Sequence, residues 1–219
     1  IGNLYTEEAY EFMSRMEFKS MLTKFGAHVK EKESKKHTFV LVTDLIEAGE
    51  LFAKAKKSDH VGAQLLIDHG KVSGLAICFA EEVSYVLPAT GFLTGDYLAE
   101  QLRDLCRTGN VWVLDLKSQL PFLDLGYDTC VYDAGVAAYL LNPLKDSYDY
   151  DDLARDYLGL TLPGRAEFLK KMTFASAWES AEEDYTTCAG YMGYVAYMVG
   201  KPLMERLEAE EMKELYLTM

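Results

Sequence analysis

The cysteine and histidine residues of this sequence are the first candidates for metal or nucleophile chemistry. None of the cysteines forms a Cys-x-x-Cys pair and the histidines show no ligand spacing; these residues are Cys78, Cys106, Cys130, Cys188, His28, His37, His60 and His69. Zinc sites and disulfide frameworks both need ligands or thiols at recurring spacings. The pattern therefore indicates neither, and we predict buried free thiols in a reducing compartment.

A row of tyrosines is the second feature with possible chemistry. Tyr191, Tyr194 and Tyr197 recur every three residues, and Tyr185 lies six residues before the first of them. Aromatic rows can stack nucleotide bases, but no Arg or Lys is interleaved with these tyrosines. Because aromatic residues at helical spacing mostly pack in cores, we predict a packing role.

Acidic residues determine the charge of the protein. The 219 residues include 35 Asp and Glu against 22 Lys and Arg, which gives a formal net charge of −13. Tight DNA binders usually carry a basic stripe that releases counterions from phosphates. We therefore expect this chain to bind DNA weakly by itself, through local contacts or with the help of a covalently attached neighbour.

The length fits one large domain or one domain with an appendage. Apolar residues make up 49% of the chain and charged residues 26%, which is enough to bury a core. We find no apolar stretch of transmembrane length and no signal peptide. We expect a cytoplasmic protein that does not contact a membrane.

The first 36 residues are predicted to be a linker segment with an amphipathic helix at 4–25. Thr6 can cap this helix, and Phe12, Met16 and Met21 contribute to its apolar stripe. Residues 30–37 contain no apolar side chain, as is typical of a solvated linker. The main domain is then expected at 37–219, with both ends of the chain at domain boundaries.

Strand and helix signals alternate from residue 38 to residue 114. The predicted strands are 38–42, 61–67, 72–79, 83–87 and 111–114. Two helices are predicted between them, one at 45–56 capped by Asp44 and one at 95–106 capped by Thr94. Residues 68–71 are a predicted hairpin turn. Beyond residue 134 the pattern predicts helices at 134–141, 149–158, 167–177, 184–199 and from Pro202 onward. This order predicts an α/β fold in which helices pack on a mixed sheet.

Three stretches of the chain resemble bacterial family A DNA polymerases, in the order that this family uses. The first is Leu4-Tyr-Thr-Glu-Glu-Ala-Tyr-Glu-Phe with the following segment 16–22, which resembles the connection from the 5′ nuclease domain. The second is Tyr132-Asp-Ala-Gly-Val-Ala-Ala-Tyr-Leu-Leu-Asn-Pro with segments 147–154 and 157–159, and it resembles the helical half of the 3′–5′ exonuclease domain. The third, Glu214-Leu-Tyr-Leu-Thr-Met, resembles the helix that leads into the polymerase domain. The implied fold is the ribonuclease H-like, DnaQ-type exonuclease fold.

The resemblance also implies a chemistry, namely hydrolysis of a terminal phosphodiester with two divalent ions. The family holds these ions with four carboxylates and uses a tyrosine to place the attacking water. Its pattern is Asp-x-Glu on the first hairpin strand, an Asp after the central strand, and Tyr-x-x-x-Asp on a late helix.

The acid positions of that pattern are all substituted in this sequence. The Asp-x-Glu positions correspond to Gln64 and Leu66, the second Asp to Gln119, and the last Asp to Ala189. Tyr185 matches the tyrosine. Magnesium needs oxygen ligands, so we predict that no metal or other cofactor is bound and that the domain does not cut DNA.

Three functions are compatible with these residues. The first is an inactive structural domain that spaces the 5′ nuclease and polymerase domains of a DNA polymerase I and meets DNA through that parent protein. The second is an active exonuclease whose Mg²⁺ or Mn²⁺ site has shifted to Asp68, Asp115 and Asp184, although Asp68 also suits a turn and Asp115 a helix cap. The third is a nucleotide- or protein-binding module that uses the same cleft.

Overall fold

The fold is described from a computed structural model, which describes Ala9, Phe12, residues 37–126 and residues 129–218. The predicted helix at 4–25 and the linker at 30–36 lie outside the described residues apart from Ala9 and Phe12. The domain boundary at residue 36 therefore stays a prediction.

A mixed six-stranded sheet forms the centre of the described structure. Its strands are β1 (Thr38–Leu41), β2 (His60–Asp68), β3 (Lys71–Ala80), β4 (Val83–Pro88), β5 (Asn110–Val113) and β6 (Val131–Asp133). They lie in the order β1-β4-β3-β2-β5-β6. Strand β3 is antiparallel to its two neighbours, whereas the other pairs are parallel. The mixed α/β fold expected from the sequence is confirmed.

Helices pack on both faces of this sheet. They are α1 (Leu45–Ala55), α2 (Gly95–Thr108), α3 (Leu116–Leu123), α4 (Ala134–Leu141), α5 (Tyr150–Leu153), which continues as a π-helical turn (Ala154–Leu158), α6 (Arg165–Leu169), α7 (Phe174–Ser180), α8 (Glu182–Ala209) and α9 (Lys213–Thr218). Asp44 caps α1 through the Ile46 and Glu47 N–H groups, and Thr94 caps α2. None of the helices in the described ranges is long and apolar enough to span a membrane.

Two sequence predictions about these elements were wrong, and one strand was not predicted. The helix predicted at 167–177 is divided into α6 and α7, because Lys170 has φ 55° and ψ −110°, which no helix can accommodate. Pro202 does not begin a helix but lies inside α8, whose buried Val199 and Leu203 hold both sides of the proline on the sheet. Strand β6 was missed because only three residues form it.

Side-chain alternation along the strands separates two apolar clusters. Val61, Ala63 and Leu65 of β2 face α1 and α2, whereas Leu66 faces α8. Trp112 of β5 joins the same cluster as Leu66. This is the two-residue period of a strand covered on both faces.

Helix α8 approaches the sheet closely because several contacts are made by glycine. A β-carbon on Gly62 of β2 would overlap the backbone nitrogen of Tyr197, and one on Gly200 would lie 2.8 Å from the Trp112 ring. A β-carbon on Gly193 would lie 3.1 Å from the Ile77 nitrogen. The fit between α8 and the sheet therefore requires glycine, which has no side chain, at these three positions.

The thiols and the tyrosine row differ in part from expectation. Cys78, Cys106 and Cys188 are buried, but Cys130 is exposed because it precedes the edge strand β6. Tyr185 is fully buried. The other three tyrosines are half-buried and pack on aromatic rings at the sheet surface, with ring centroids 4.8 Å apart for Tyr191–Phe39, 4.2 Å for Tyr194–His37 and 4.2 Å for Tyr197–His60.

Candidate active-site cleft

Two buried glutamines meet where β2 and β5 approach helix α3. Gln64 lies on β2 and is 5% exposed, and Gln119 lies on α3 and is 0% exposed. The Gln119 Nε2 group donates to Gln64 Oε1 at 3.1 Å and to the Asp115 carbonyl at 2.8 Å. Gln64 Oε1 also accepts from the Leu114 N–H at 3.0 Å, and Gln119 Oε1 accepts from the Leu65 N–H at 2.9 Å. We call Gln64 and Gln119 the amide pair.

The hydrogen bonds of the amide pair require that both side chains are neutral amides. Each side chain supplies both a donor and an acceptor, and Gln64 Nε2 completes the network by donating to the Leu65 carbonyl at 3.3 Å. A carboxylate at position 119 would place an oxygen against Gln64 Oε1 and the Asp115 carbonyl. Buried polar groups without partners are costly, so the network favours glutamine over an acid here.

The other two acid positions of the family pattern are apolar and buried. Leu66 and Ala189 are both 0% exposed and belong to the cluster beneath α8. No oxygen atom is available from either side chain for a cation. The structure therefore pairs Gln64 with Gln119 and places Leu66 and Ala189 in one apolar cluster.

Tyr185 is turned into that apolar region. Its hydroxyl is buried and has no hydrogen-bond partner among the residues that the structure describes. A β-carbon on Gly74 would lie 2.5 Å from this hydroxyl and 3.1 Å from Leu66 Cδ1, so both side chains occupy the space that Gly74 leaves. Burial, helped by the charge of Asp68, raises the pKa of Tyr185 above the usual phenol value. This phenol therefore remains protonated near neutral pH.

Two acids of the shifted-site hypothesis, Asp115 and Asp68, have separate structural partners. Asp115 caps α3 by accepting from the Ser118 N–H at 3.2 Å. Asp68 accepts from the Phe174 and Ala175 N–H groups at 3.1 and 2.9 Å, at the start of α7. Asp184 is exposed in the first turn of α8.

A divalent metal ion does not fit this set of residues. Both glutamine oxygens already accept backbone N–H groups, and Leu66 and Ala189 have no donor atoms. Within the described ranges, no group of three or more His, Cys, Asp or Glu residues is placed to hold a metal. Hard cations need several oxygen ligands, so no reaction step through a metal is assigned to this cleft.

Sequence reasoning missed Asp133. It accepts from the Leu116 N–H at 2.7 Å and from the Val136 N–H at 2.8 Å, so one carboxylate joins α3 to α4. Burial raises the pKa of Asp133, against the opposing effect of these hydrogen bonds. The signal was present, because an Asp directly before a helix pattern is a typical cap.

A cleft of about 1050 Å³ opens in front of the amide pair. Its lining includes Leu65, Leu114 and Asp115, together with residues of α6 and of the turn that follows it. Its volume matches that of small-molecule sites in general. The cleft is therefore large enough for a small molecule, although Gln64 supplies an amide to its lining and not a carboxylate.

The fold defines a class of structure. The mixed sheet with its flanking helices is the ribonuclease H-like, DnaQ-type 3′–5′ exonuclease fold, as the resemblance implied. The sequence itself matches no family model and no curated protein significantly.

The chain is similar to several solved structures. The chain is similar to the POL domain of Pol1 from M. smegmatis, at 16% identity and a TM-score of 0.61, over 82% of this chain and 29% of that one. It is similar to Escherichia coli RNase D, an exoribonuclease, at 12% identity and a TM-score of 0.64, over 83% of this chain and 48% of that one. Brucella melitensis NrnC matches at 14% identity and a TM-score of 0.57, over 75% of this chain and 81% of that one. At these identities the likeness concerns the fold.

Proposed function

We propose that this chain is the 3′–5′ exonuclease-like domain of a family A DNA polymerase and that it does not cut DNA. It acts as a structural spacer between a 5′ nuclease domain and a polymerase domain, and it packs on the latter. The likeness to the Pol1 structure supports a polymerase parent. The spacer would then serve DNA replication and repair in the cytoplasm, and DNA would be bound mainly by the rest of the parent protein.

The amide pair is the observation that carries this proposal. Two positions where the family pattern has aspartates, 55 residues apart in the chain, are occupied by glutamines that bond to each other. A magnesium site of this family presents carboxylate oxygens to the ion, whereas here neutral amide oxygens accept backbone N–H groups. Such a network stabilises the fold instead of binding a cation.

The test is a trimming assay on end-labelled single-stranded DNA with Mg²⁺ or Mn²⁺. We expect no shortening by the wild type, because nothing at the amide pair can stabilise the attacking and leaving oxygens. Asp68→Ala and Asp115→Ala serve as controls for contaminating nucleases. Trimming by the wild type that either substitution abolishes would establish the shifted-site exonuclease and overturn the spacer proposal.

The binding-module alternative has one specific observation in its favour. A cleft of about 1050 Å³ lies beside Gln64, and this volume is sufficient for a small-molecule ligand. Binding of nucleotides without hydrolysis is compatible with the spacer role.

A further inference from the structure

Six aromatic residues form one surface along α8 and the starts of β1 and β2. We call this surface the aromatic ledge; it consists of His37, Phe39, His60, Tyr191, Tyr194 and Tyr197. The rings of Tyr191, Phe39, His37 and Tyr194 follow one another with centroids 4.2–5.2 Å apart. Tyr197, three residues after Tyr194 on the same helix face, stacks on His60 at 4.2 Å. All six residues are partly exposed, so the ledge can bury more apolar surface.

The charges beside the ledge do not suit a polyanion. His37 Nδ1 donates to the Glu81 carbonyl oxygen at 2.8 Å, in a turn whose exposed residues are Glu81 and Glu82. At the other end of the ledge, Lys57 and Asp59 line one hollow together with Tyr197, and their charges offset each other. The ledge therefore has a negative end at His37, which disfavours nucleic acid as its occupant.

The chain that precedes β1 is attached at this negative end. Residues 30–36 contain four lysines and two glutamates, and Lys36 is bonded directly to His37. The linker thus brings a net positive charge to the turn that carries Glu81 and Glu82, and opposite charges attract. A covalently tethered segment also reaches a nearby surface at an effective concentration of the order of millimolar. The tether and the charge both favour the chain's own N-terminal segment as the occupant.

Residues 4–25 contain an apolar stripe that suits the ledge. Its members recur at the i, i+4, i+7, i+11 spacing of one helix face and are Tyr5, Ala9, Phe12 and Met16. Ala9 and Phe12, the two described residues of this segment, are both helical. Phe12 is 48% exposed, so it too can bury more surface.

The dimensions of the two surfaces are compatible. The stripe is about 16 Å long and the row from Tyr191 to Tyr197 about 9 Å, at the helical rise of 1.5 Å per residue. The connection at 26–36 can extend to about 36 Å. The stripe can therefore lie along the whole tyrosine row without strain in the linker.

We propose that residues 4–25 pack as an amphipathic helix on the aromatic ledge of the same chain, with the apolar stripe against the three tyrosines. Helices in proteins gain most of their stability from the packing of such a face. This contact goes beyond the spacer role and does not depend on a polymerase parent. In such a parent it would fix the point at which the preceding domain joins this one.

The test is photocrosslinking in the full chain, with p-benzoylphenylalanine in place of Phe12. The control carries it in place of Phe18, which lies about 120° away around a helix. We expect crosslinks from position 12 to peptides that contain residues 37–39 or 191–197, and at least about fivefold fewer from position 18, which lies off the stripe. Mass spectrometry on a mixture of ¹⁵N-labelled and unlabelled chains separates contacts within a chain from contacts between two copies.

Hydrogen exchange of two substituted chains gives an independent measurement. Phe12→Asp should accelerate exchange of the amides at 5–16 by at least about tenfold and Phe18→Asp by less than about threefold, because only Phe12 loses apolar burial. Equal acceleration would indicate a helix without a docking surface and overturn the proposal.

Three crosslinking results would overturn it as well. They are no crosslink from position 12, crosslinks only to residues outside the ledge, and crosslinks only between labelled and unlabelled chains. The trimming assay is independent of these experiments, so their failure leaves the proposed function unaffected.

Discussion

The amide pair and Tyr185 are two polar regions at family motif positions, and they differ in how their hydrogen bonds are used. Every amide nitrogen and oxygen of Gln64 and Gln119 has a partner in the described structure. The hydroxyl of Tyr185, which belongs to α8, has no hydrogen-bond partner among the described residues. Hydrogen bonds thus hold the amide pair in place, whereas close apolar packing holds the interior between α8 and the sheet. Each region should respond to substitution in its own way.

The largest effect is expected where α8 touches the sheet. Gly62→Ala places a β-carbon on the backbone of Tyr197, and we expect a loss of about 3 kcal/mol or more in the free energy of unfolding, since backbone cannot move as a side chain can. Urea denaturation measures it. Gly49→Ala is the control, because nothing lies within 4 Å of its β-carbon in α1, and it should stabilise by about 0.5–1 kcal/mol. A neutral Gly62→Ala would show that the packing beneath α8 is looser than described.

A charge in the amide pair should have the next largest effect. Gln119→Glu puts a carboxylate against two acceptors, and we expect a loss of about 2–4 kcal/mol at pH 7. Burial raises the pKa of the introduced acid, so its destabilisation should be full above that pKa and diminish as the pH falls through it. Denaturation between pH 4 and pH 8 checks the sign. Gln101→Glu, on α2, is the control and should change the free energy of unfolding by less than about 0.5 kcal/mol. Equal losses in the two variants would show that the amide pair is no more sensitive to a charge than position 101.

The tyrosine hydroxyl should have a smaller effect of opposite sign. Tyr185→Phe removes a buried group without a partner, and we expect a gain of about 1 kcal/mol. Tyr216→Phe is the matched control, because its hydroxyl donates to the Asp133 carbonyl at 3.0 Å and its removal should cost about 1 kcal/mol. Thermal unfolding of both variants decides. If Tyr185→Phe loses stability, its hydroxyl has a partner and the contrast with the amide pair disappears.

Thiol labelling probes the same interior without an amino-acid substitution. Cys188 is a buried residue of α8. Burial raises the pKa of its thiol to about 11, so almost no thiolate is present at pH 8. Iodoacetamide should label the exposed Cys130 quickly and Cys188 slowly, with the Cys188 rate rising at higher pH. Peptide mass spectrometry follows both rates. Fast labelling of Cys188 at pH 8 would mean that the interior opens readily.

Much of the sheet could be predicted because its signals are local. The turn at residues 68–71 and the apolar runs on either side predict the β2–β3 hairpin without reference to distant residues. The family resemblance supplied the positions of Gln64 and Gln119. Their hydrogen bonds could not be predicted, because they depend on how α3 is oriented towards β2 in three dimensions.

Contacts that span a large sequence distance could not be predicted either. Asp68 looked like a turn residue, yet its carboxylate bonds to the Phe174 N–H 106 residues away. Pro202 looked like a helix start, because local propensity carries no information about the sheet that supports α8. In both cases tertiary packing decided a role that local sequence assigned differently.

Helix α8 has a mechanical consequence. With 28 residues it is about 42 Å long, and it contacts all strands except the short edge strand β6 among its principal packing partners. A pull applied near Ala209 would be shared by several strands as shear instead of peeling one edge. The described part of the domain should therefore resist a pull on α8 as a stiff body.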